Sequence, residues 1–185
     1  MREPLAIVGV VLAGGLSSRM GNDKAMLNID GRSMLQHQVD LLMPLCTKVL
    51  VSGEYPGFSY VPDAVPRCGP LGGIYSVAMH CPDSALLVIS VDMLHITIMQ
   101  LERLMQCSHA CHFSDQPLPA FFPDATKVVT AIQHIFAEPE LGFSLRRLHQ
   151  NLSSVSINEA SFEPLNINTP TEWLDFKQNN YKQNL

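Results

Sequence analysis

Hydrophobic residues in the first half of the chain fall into short unbroken runs separated by stretches of helical period. Residues 5–12, Leu-Ala-Ile-Val-Gly-Val-Val-Leu, form a continuous β-branched apolar run. That pattern predicts a strand buried on both faces, as in a parallel sheet. The run stops at Ala13-Gly14-Gly15. From Ser33 the spacing changes: Met34, Leu35, Val39, Leu41, Leu42 and Leu45 recur at helical intervals, with Pro44 disturbing the last turn. Residues 48–52 predict a second strand and 58–61 a third. Residues 62–73 are rich in turn formers, after which a helix starts near Pro70 or Leu71, with proline at a permissive first position, and runs to about His80. Residues 85–91 read as a strongly buried strand that delivers Asp92 to its carboxyl end, and residues 97–106 as a helix.

The second half is less regular. Residues 118–122 predict a strand, 126–137 and 144–151 helices, and 153–157 and 165–168 short extended pieces. Thr169-Pro-Thr-Glu172 has the form of a capping box, with a final helix from Pro170 to about Lys177. Alternating strands and helices imply an α/β fold: a doubly wound, mostly parallel sheet with helices on both faces. No repeat or interdomain linker interrupts it, so one domain over residues 1–178 with a polar tail at 179–185 is expected. In such sheets ligands bind outside the carboxyl ends of the strands, which directs attention to the turns after Leu12, Val51 and Val91.

Composition narrows the partners. With 12 Lys+Arg against 17 Asp+Glu the formal net charge is −5, a poor balance for contacting nucleic-acid phosphates. The 185 residues are 46% hydrophobic and 16% charged, so much of the chain must be buried. No apolar run approaches the roughly 18 residues of a membrane span, and the start lacks a signal peptide's pattern. Five scattered cysteines fit reduced thiols in a cytoplasmic protein.

The segment Leu12-Ala-Gly-Gly-Leu-Ser-Ser-Arg-Met-Gly-Asn-Asp-Lys24 carries the clearest chemistry. A buried strand ends in a glycine pair, where a ligand can approach the backbone. Exposed amides in such a loop form an anion-binding concavity. Ser17 and Ser18 add hydroxyls, and Arg19 and Lys24 add two cations, so the target reads as a polyphosphate. The spacing is neither a Walker A loop nor a dinucleotide fingerprint. A glycine-rich surface turn with incidental basic residues is the plain alternative. Asp92, at a strand's carboxyl end, is either a loop or cap residue or a Mg²⁺ ligand, since Mg²⁺ takes one or two carboxylates plus substrate phosphates. Pro62-Asp63 and Gly69-Pro-Leu-Gly-Gly-Ile74 form either an ordinary connection or a second close-approach loop, with Asp63 accepting from a base or ribose.

Together these motifs, with Val91-Asp92-Met93 and Asn166-Ile-Asn-Thr-Pro170 in the same order, resemble the molybdenum cofactor guanylyltransferases of the nucleotidyltransferase superfamily. The resemblance spans about residues 5–176. It implies a Rossmann-like nucleotidyltransferase fold and transfer of GMP from GTP to the terminal phosphate of molybdopterin, releasing pyrophosphate. By the same resemblance Leu12, Ala13, Gly14, Gly15, Ser52 and Asp63 line the nucleotide site. Lys24 neutralises phosphate charge, Arg19 holds the departing pyrophosphate, Asp92 binds Mg²⁺, and Asn166 and Asn168 lie on the acceptor side. Molybdenum cofactor biosynthesis proteins or target-enzyme chaperones are the implied protein partners. Other readings are a cytidylyl or sugar-phosphate transferase and a catalytically weak GTP-binding adaptor. Gly14 stands where related cytidylyltransferases carry Ala, and the missing methyl leaves room for a purine. Two departures from the family are visible: Ser52 replaces its usual Asn, and Leu94 replaces its usual Pro, which leaves the aim of Asp92 less rigidly set. Cys107-Ser-His-Ala-Cys-His112 lacks the ligand spacing of a usual zinc site and reads as a loop or strand edge. Arg146-Arg147 reads as a solvated helix face or a contact for a polyanionic acceptor, and Trp173 as packing.

Overall fold

The computed structural model describes residues 5–14, 23–159, 165–166 and 172–173. Its centre is the strand β1 (Ala6–Leu12), whose last five residues are all buried. β1 lies between β4 (Lys48–Ser52) and β6 (Ser84–Ser90), parallel to both, with Leu12 opposite Ser52 on one side and Ser90 on the other. The three strands therefore end level. Beyond them are β5 (Tyr60–Val61) on one side and β9 (Ala120–Phe122), β8 (Cys111–Phe113) and β10 (Val155–Ile157) on the other, giving the order β10-β8-β9-β6-β1-β4-β5. Only β9 runs against the rest. Two small antiparallel pairs complete the described strands: β2 (Asn28–Ile29) with β3 (Arg32–Ser33), and β7 (Met93–Leu94) with β11 (Leu165–Asn166).

Helices cover both faces, as the alternation along β1 shows. A Cβ at Gly9 would stand 3.1 Å from Leu42 and Cys46, so that face is packed by α1 (Met34–Leu42) and the turn after it. Leu12, of opposite parity, points to α2 (Pro70–His80), where its Cδ2 lies 3.2 Å from the Cβ position of Gly73. α4 (Ala125–Phe136) shares that face, with Phe136 edge-on to Tyr75 at 5.4 Å. So does α5 (Leu145–Asn151), whose His149 ring lies 4.1 Å from His112 of β8. Cys111, of opposite parity to His112, turns to α3 (Ile98–Met105) and donates to Leu104 O at 3.3 Å. The caps are local: Ser33, Thr97, Asp124 and Ser144 each accept an amide from their helix's first turn, Thr97 within a full capping box.

The architecture matches the expected one, with shorter outlying elements. The third strand is Tyr60–Val61 rather than 58–61, although Val51 N still donates to Ser59 O at 2.9 Å. The strand expected at 118–122 begins at Ala120, since Pro119 has no amide to give to a ladder. The Cys107–His112 tract is a loop as far as Ala110, and its last two residues enter β8, which is flanked by β10 and β9 and so is not a sheet edge. Of the expected last helix, only Glu172–Trp173 is described; it is helical, with Trp173 buried.

Candidate active site

Because β1, β4 and β6 end level, the backbone that follows them converges. Val91 N donates to Leu12 O and Gly14 N to Ser52 O, both at 3.0 Å, which extends the sheet's ladder by a step on each side of β1. Asp92 follows directly. Its Oδ2 accepts from Lys24 Nζ at 2.8 Å, and its Oδ1 accepts from Ser90 Oγ at 2.5 Å. Lys24 and Asp92 are only 14% and 20% exposed. At that depth their attraction is far less screened than on an open surface. Lys24 opens a short 3-10 turn, Lys24–Met26, capped by Asp23, whose Oδ1 accepts from Ala25 N at 3.0 Å. The cation thus stands on a fixed turn, and the carboxylate has both oxygens held.

A second cluster lies on the β4 side. Ser52 is buried and donates from Oγ to Asp63 Oδ1 at 2.8 Å, while its carbonyl takes the Gly14 amide. Asp63 Oδ2 faces Gly14: a Cβ added there would meet it at 3.2 Å and Ser52 O at 3.5 Å. The loop carrying Asp63 is tied to α2, since Ala64 N donates to Ser76 Oγ, which in turn donates to Gly72 O, each at 2.8 Å. The glycines of Gly69-Pro-Leu-Gly-Gly-Ile74 make this approach possible. A Cβ on Gly72 would come within 2.7 Å of Val65 O, and one on Gly73 would collide with Ser52 Oγ. Both positions serve close packing of α2, Gly72 against the loop that carries Val65 and Gly73 against Ser52 of β4.

Leu12, Ala13, Gly14, Lys24, Ser52, Asp63 and Asp92 are therefore brought to one end of the sheet. Gly15, Arg19 and Asn168 lie outside the described residues. Asn166 is placed by its backbone, in β11 opposite Met93, one residue from Asp92. This pairing meets the question raised by Leu94: Leu94 pairs with Leu165, and buried Gln38 of α1 donates from Nε2 to Met93 O at 2.9 Å. The segment after Asp92 is anchored from two elements without a proline. Ser90, Gln38, Asp23 and Tyr55 were not singled out from sequence. For Ser90 and Asp23 the adjacency to Asp92 and Lys24 is a usable signal, whereas Gln38 and Tyr55 contact residues 55 and 42 positions away. Arg147, by contrast, is spent on internal contacts, donating to Glu138 Oε2 at 2.8 Å and Gly142 O at 2.7 Å.

Comparison with known proteins agrees with this geometry. A family model described as a MobA-like NTP transferase domain matches residues 9–155. The chain is 39% identical over 173 residues to the molybdenum cofactor guanylyltransferase of Xanthomonas euvesicatoria, covering 89% of this chain and 91% of that protein. Among solved structures, molybdopterin-guanine dinucleotide biosynthesis protein A from Archaeoglobus fulgidus superposes with a TM-score of 0.72 at 17% identity, covering 95% of this chain and 99% of that one. The 2-C-methyl-D-erythritol 4-phosphate cytidylyltransferase of Thermus thermophilus does so at 0.65 and 14% identity, covering 89% and 94% respectively. These two likenesses show the nucleotidyltransferase fold. The family model and the Xanthomonas relative go further: this chain belongs to the molybdenum cofactor guanylyltransferase family of MobA-like NTP transferases.

Proposed function

We propose that this protein transfers the guanylyl group of GTP to the terminal phosphate of molybdopterin. A phosphate oxygen of the acceptor attacks the α-phosphorus of GTP, the bond to the β-phosphate breaks, and pyrophosphate leaves. The observation that carries this reading is the Lys24–Asp92 pair at the level ends of β1 and β6, beside the Gly14–Ser52–Asp63 cluster. Phosphoryl transfer of this kind asks the protein for positioning and charge neutralisation rather than covalent help.

The residues suit a magnesium ion. Asp92 supplies a single hard carboxylate, part-exposed, where substrate phosphates would complete the coordination that Mg²⁺ prefers. Bound there, Mg²⁺ would neutralise phosphate charge and orient the leaving group. The chain's own residues do the rest. Lys24, paired with Asp92 in the resting protein, turns its ammonium to the incoming phosphates. Ser90 keeps Asp92 aimed through Oδ1. The backbone of Leu12, Ala13 and Gly14 and the Asp63 carboxylate bound the base and ribose side. Arg19, Gly15, Asn166 and Asn168 belong to this proposal on the resemblance of their motifs, the cation for pyrophosphate and the asparagines for the acceptor. One domain over residues 1–178, a cytoplasmic location and delivery by cofactor-biosynthesis or target-enzyme chaperones complete it.

Pyrophosphate release by the purified protein with GTP, Mg²⁺ and molybdopterin tests the reading. Release that requires the acceptor and GTP supports it; equal use of all four nucleoside triphosphates, or no release with an authentic acceptor, would overturn it.

A further inference from the structure

Ala13 and Asp23 bracket the glycine-rich segment, and one side chain from another element touches both. The hydroxyl of Tyr55 lies 3.0 Å from Ala13 O and 3.2 Å from Asp23 Oδ1. Asp23 is the cap of the turn that carries Lys24, and its Oδ1 also receives the Ala25 amide. Ala13 directly follows β1, one residue before the Gly14–Ser52 hydrogen bond. Tyr55 itself is held on two sides. Phe58 N donates to its carbonyl at 3.1 Å, and its ring lies against Gly53, where an added Cβ would come within 3.0 Å of Cε2. Gly53, at φ 113°, sits in the left-handed region and leaves room for the ring.

We infer that Tyr55 is a positioning residue for GTP use: its hydroxyl clamps the Ala13 carbonyl to the Asp23 cap, so that Lys24 stands ready beside Asp92 before nucleotide arrives. This rests on the proposed role of Lys24 and Asp92. The clamp has one proton and two acceptors, so the hydroxyl shares its donation between them. Burial, with the neighbouring Asp23 charge and hydrogen bond, pushes the phenol above its ordinary value, which keeps it a donor at any working pH. Without the clamp, the Lys24 turn samples other arrangements. Apparent affinity then falls by the fraction of time the competent arrangement is populated. The clamp contacts no reacting atom, so once GTP is bound the chemical step is unchanged.

The test is Tyr55→Phe, which keeps the ring against Gly53 and deletes the hydroxyl. The KM for GTP, and its Kd measured without acceptor, rise about tenfold while kcat stays within about twofold, the size expected for losing a hydrogen bond to a charged partner. Amide exchange in the nucleotide-free protein accelerates at Met26 and Leu27, which close the Lys24 turn, and not at Val8 or Val10 of β1. In an Asp23→Ala background the effect of Tyr55→Phe shrinks, because the shared partner is gone. Unchanged KM, Kd and exchange, or full additivity with Asp23→Ala, would overturn the inference. If the wild-type protein neither binds nor turns over GTP, the functional reading fails, and the exchange measurement still decides whether Tyr55 holds the turn.

Discussion

Lys24 and Asp92 are 68 residues apart in sequence, yet each is aimed by a near neighbour: Asp23 caps the turn under the ammonium, and Ser90 donates to the carboxylate from two residues away. Removing either charge breaks the Lys24–Asp92 ion pair and, on the proposed function, deletes a phosphate or metal contact. Lys24→Ala and Asp92→Ala are each expected to reduce pyrophosphate release by about 10²-fold or more, with the melting transition retained. Near-normal turnover in either variant takes that residue out of the mechanism. Gly14 poses a different question. A methyl there would press on Asp63 Oδ2 at 3.2 Å, so its first effect falls on the carboxylate that Ser52 holds. Gly14→Ala should lower GTP use relative to CTP, and an unchanged ratio would show that base choice lies elsewhere.

At the scale of elements, the site depends on how closely α2 lies on β4. The side of α2 with Gly72 and Gly73 lets helix and loop approach to distances that a Cβ would forbid. Gly73→Ala must push Ser52 aside, an overpacking that costs about 1–3 kcal/mol and lowers the melting temperature by several degrees. Its KM for GTP should also rise, since Ser52 carries both the Gly14 and Asp63 contacts. A stable, fully active Gly73→Ala protein would contradict this packing. The same scale shows why some elements are legible in the sequence and others are not. β1, β6 and α2 are long enough for their apolar pattern to be unambiguous. β5 and β10 lie within the extended stretches expected at 58–61 and 153–157 but shrink to two and three residues, and β8, at the end of a tract that reads only as a loop or strand edge, has three. Segments this short carry too little of a period to set their bounds, which a neighbouring strand's ladder decides. The β2–β3 hairpin is different: Asp30-Gly31, both at positive φ, is a turn signal present in the sequence but hidden between the loop and α1.

For the whole molecule, the buried His149 makes stability depend on pH. Its ring packs against those of His112 and Phe122, with Nε2 facing Pro117 O and Nδ1 facing Ser154 Oγ. The neutral tautomer with the proton on Nε2 satisfies both. Burial foremost, and the adjacent His112, push its pKa down to about 4, despite the opposing pull of the Pro117 carbonyl. The unfolded chain therefore takes up a proton at higher pH than the folded one. The group's contribution is complete above about pH 6.5 and is lost as pH falls towards 4, amounting to about 3 kcal/mol across that window. Urea unfolding between pH 4 and 7 should show stability rising with pH, and His149→Gln should flatten that slope. An equally steep slope in the variant would assign the effect to other groups.

The alternation of apolar runs and helical periods by itself determined the α/β class and the parallel centre of the sheet, and pointed to the strands' carboxyl ends as the place to look for a site. It did so because burial on two faces leaves a strand no freedom of composition. The order of motifs likewise determined the family, and it offered Lys24, Asp63 and Asp92 as candidate site residues. What only the tertiary structure decided is how those residues are held. Ser52 bridges Gly14 and Asp63, Gln38 anchors the segment after Asp92 where a proline is missing, and Tyr55 joins the two ends of the glycine-rich segment. Hydrogen bonds between residues tens of positions apart leave no periodic trace in a sequence, since their partners become neighbours only when the sheet and helices have packed.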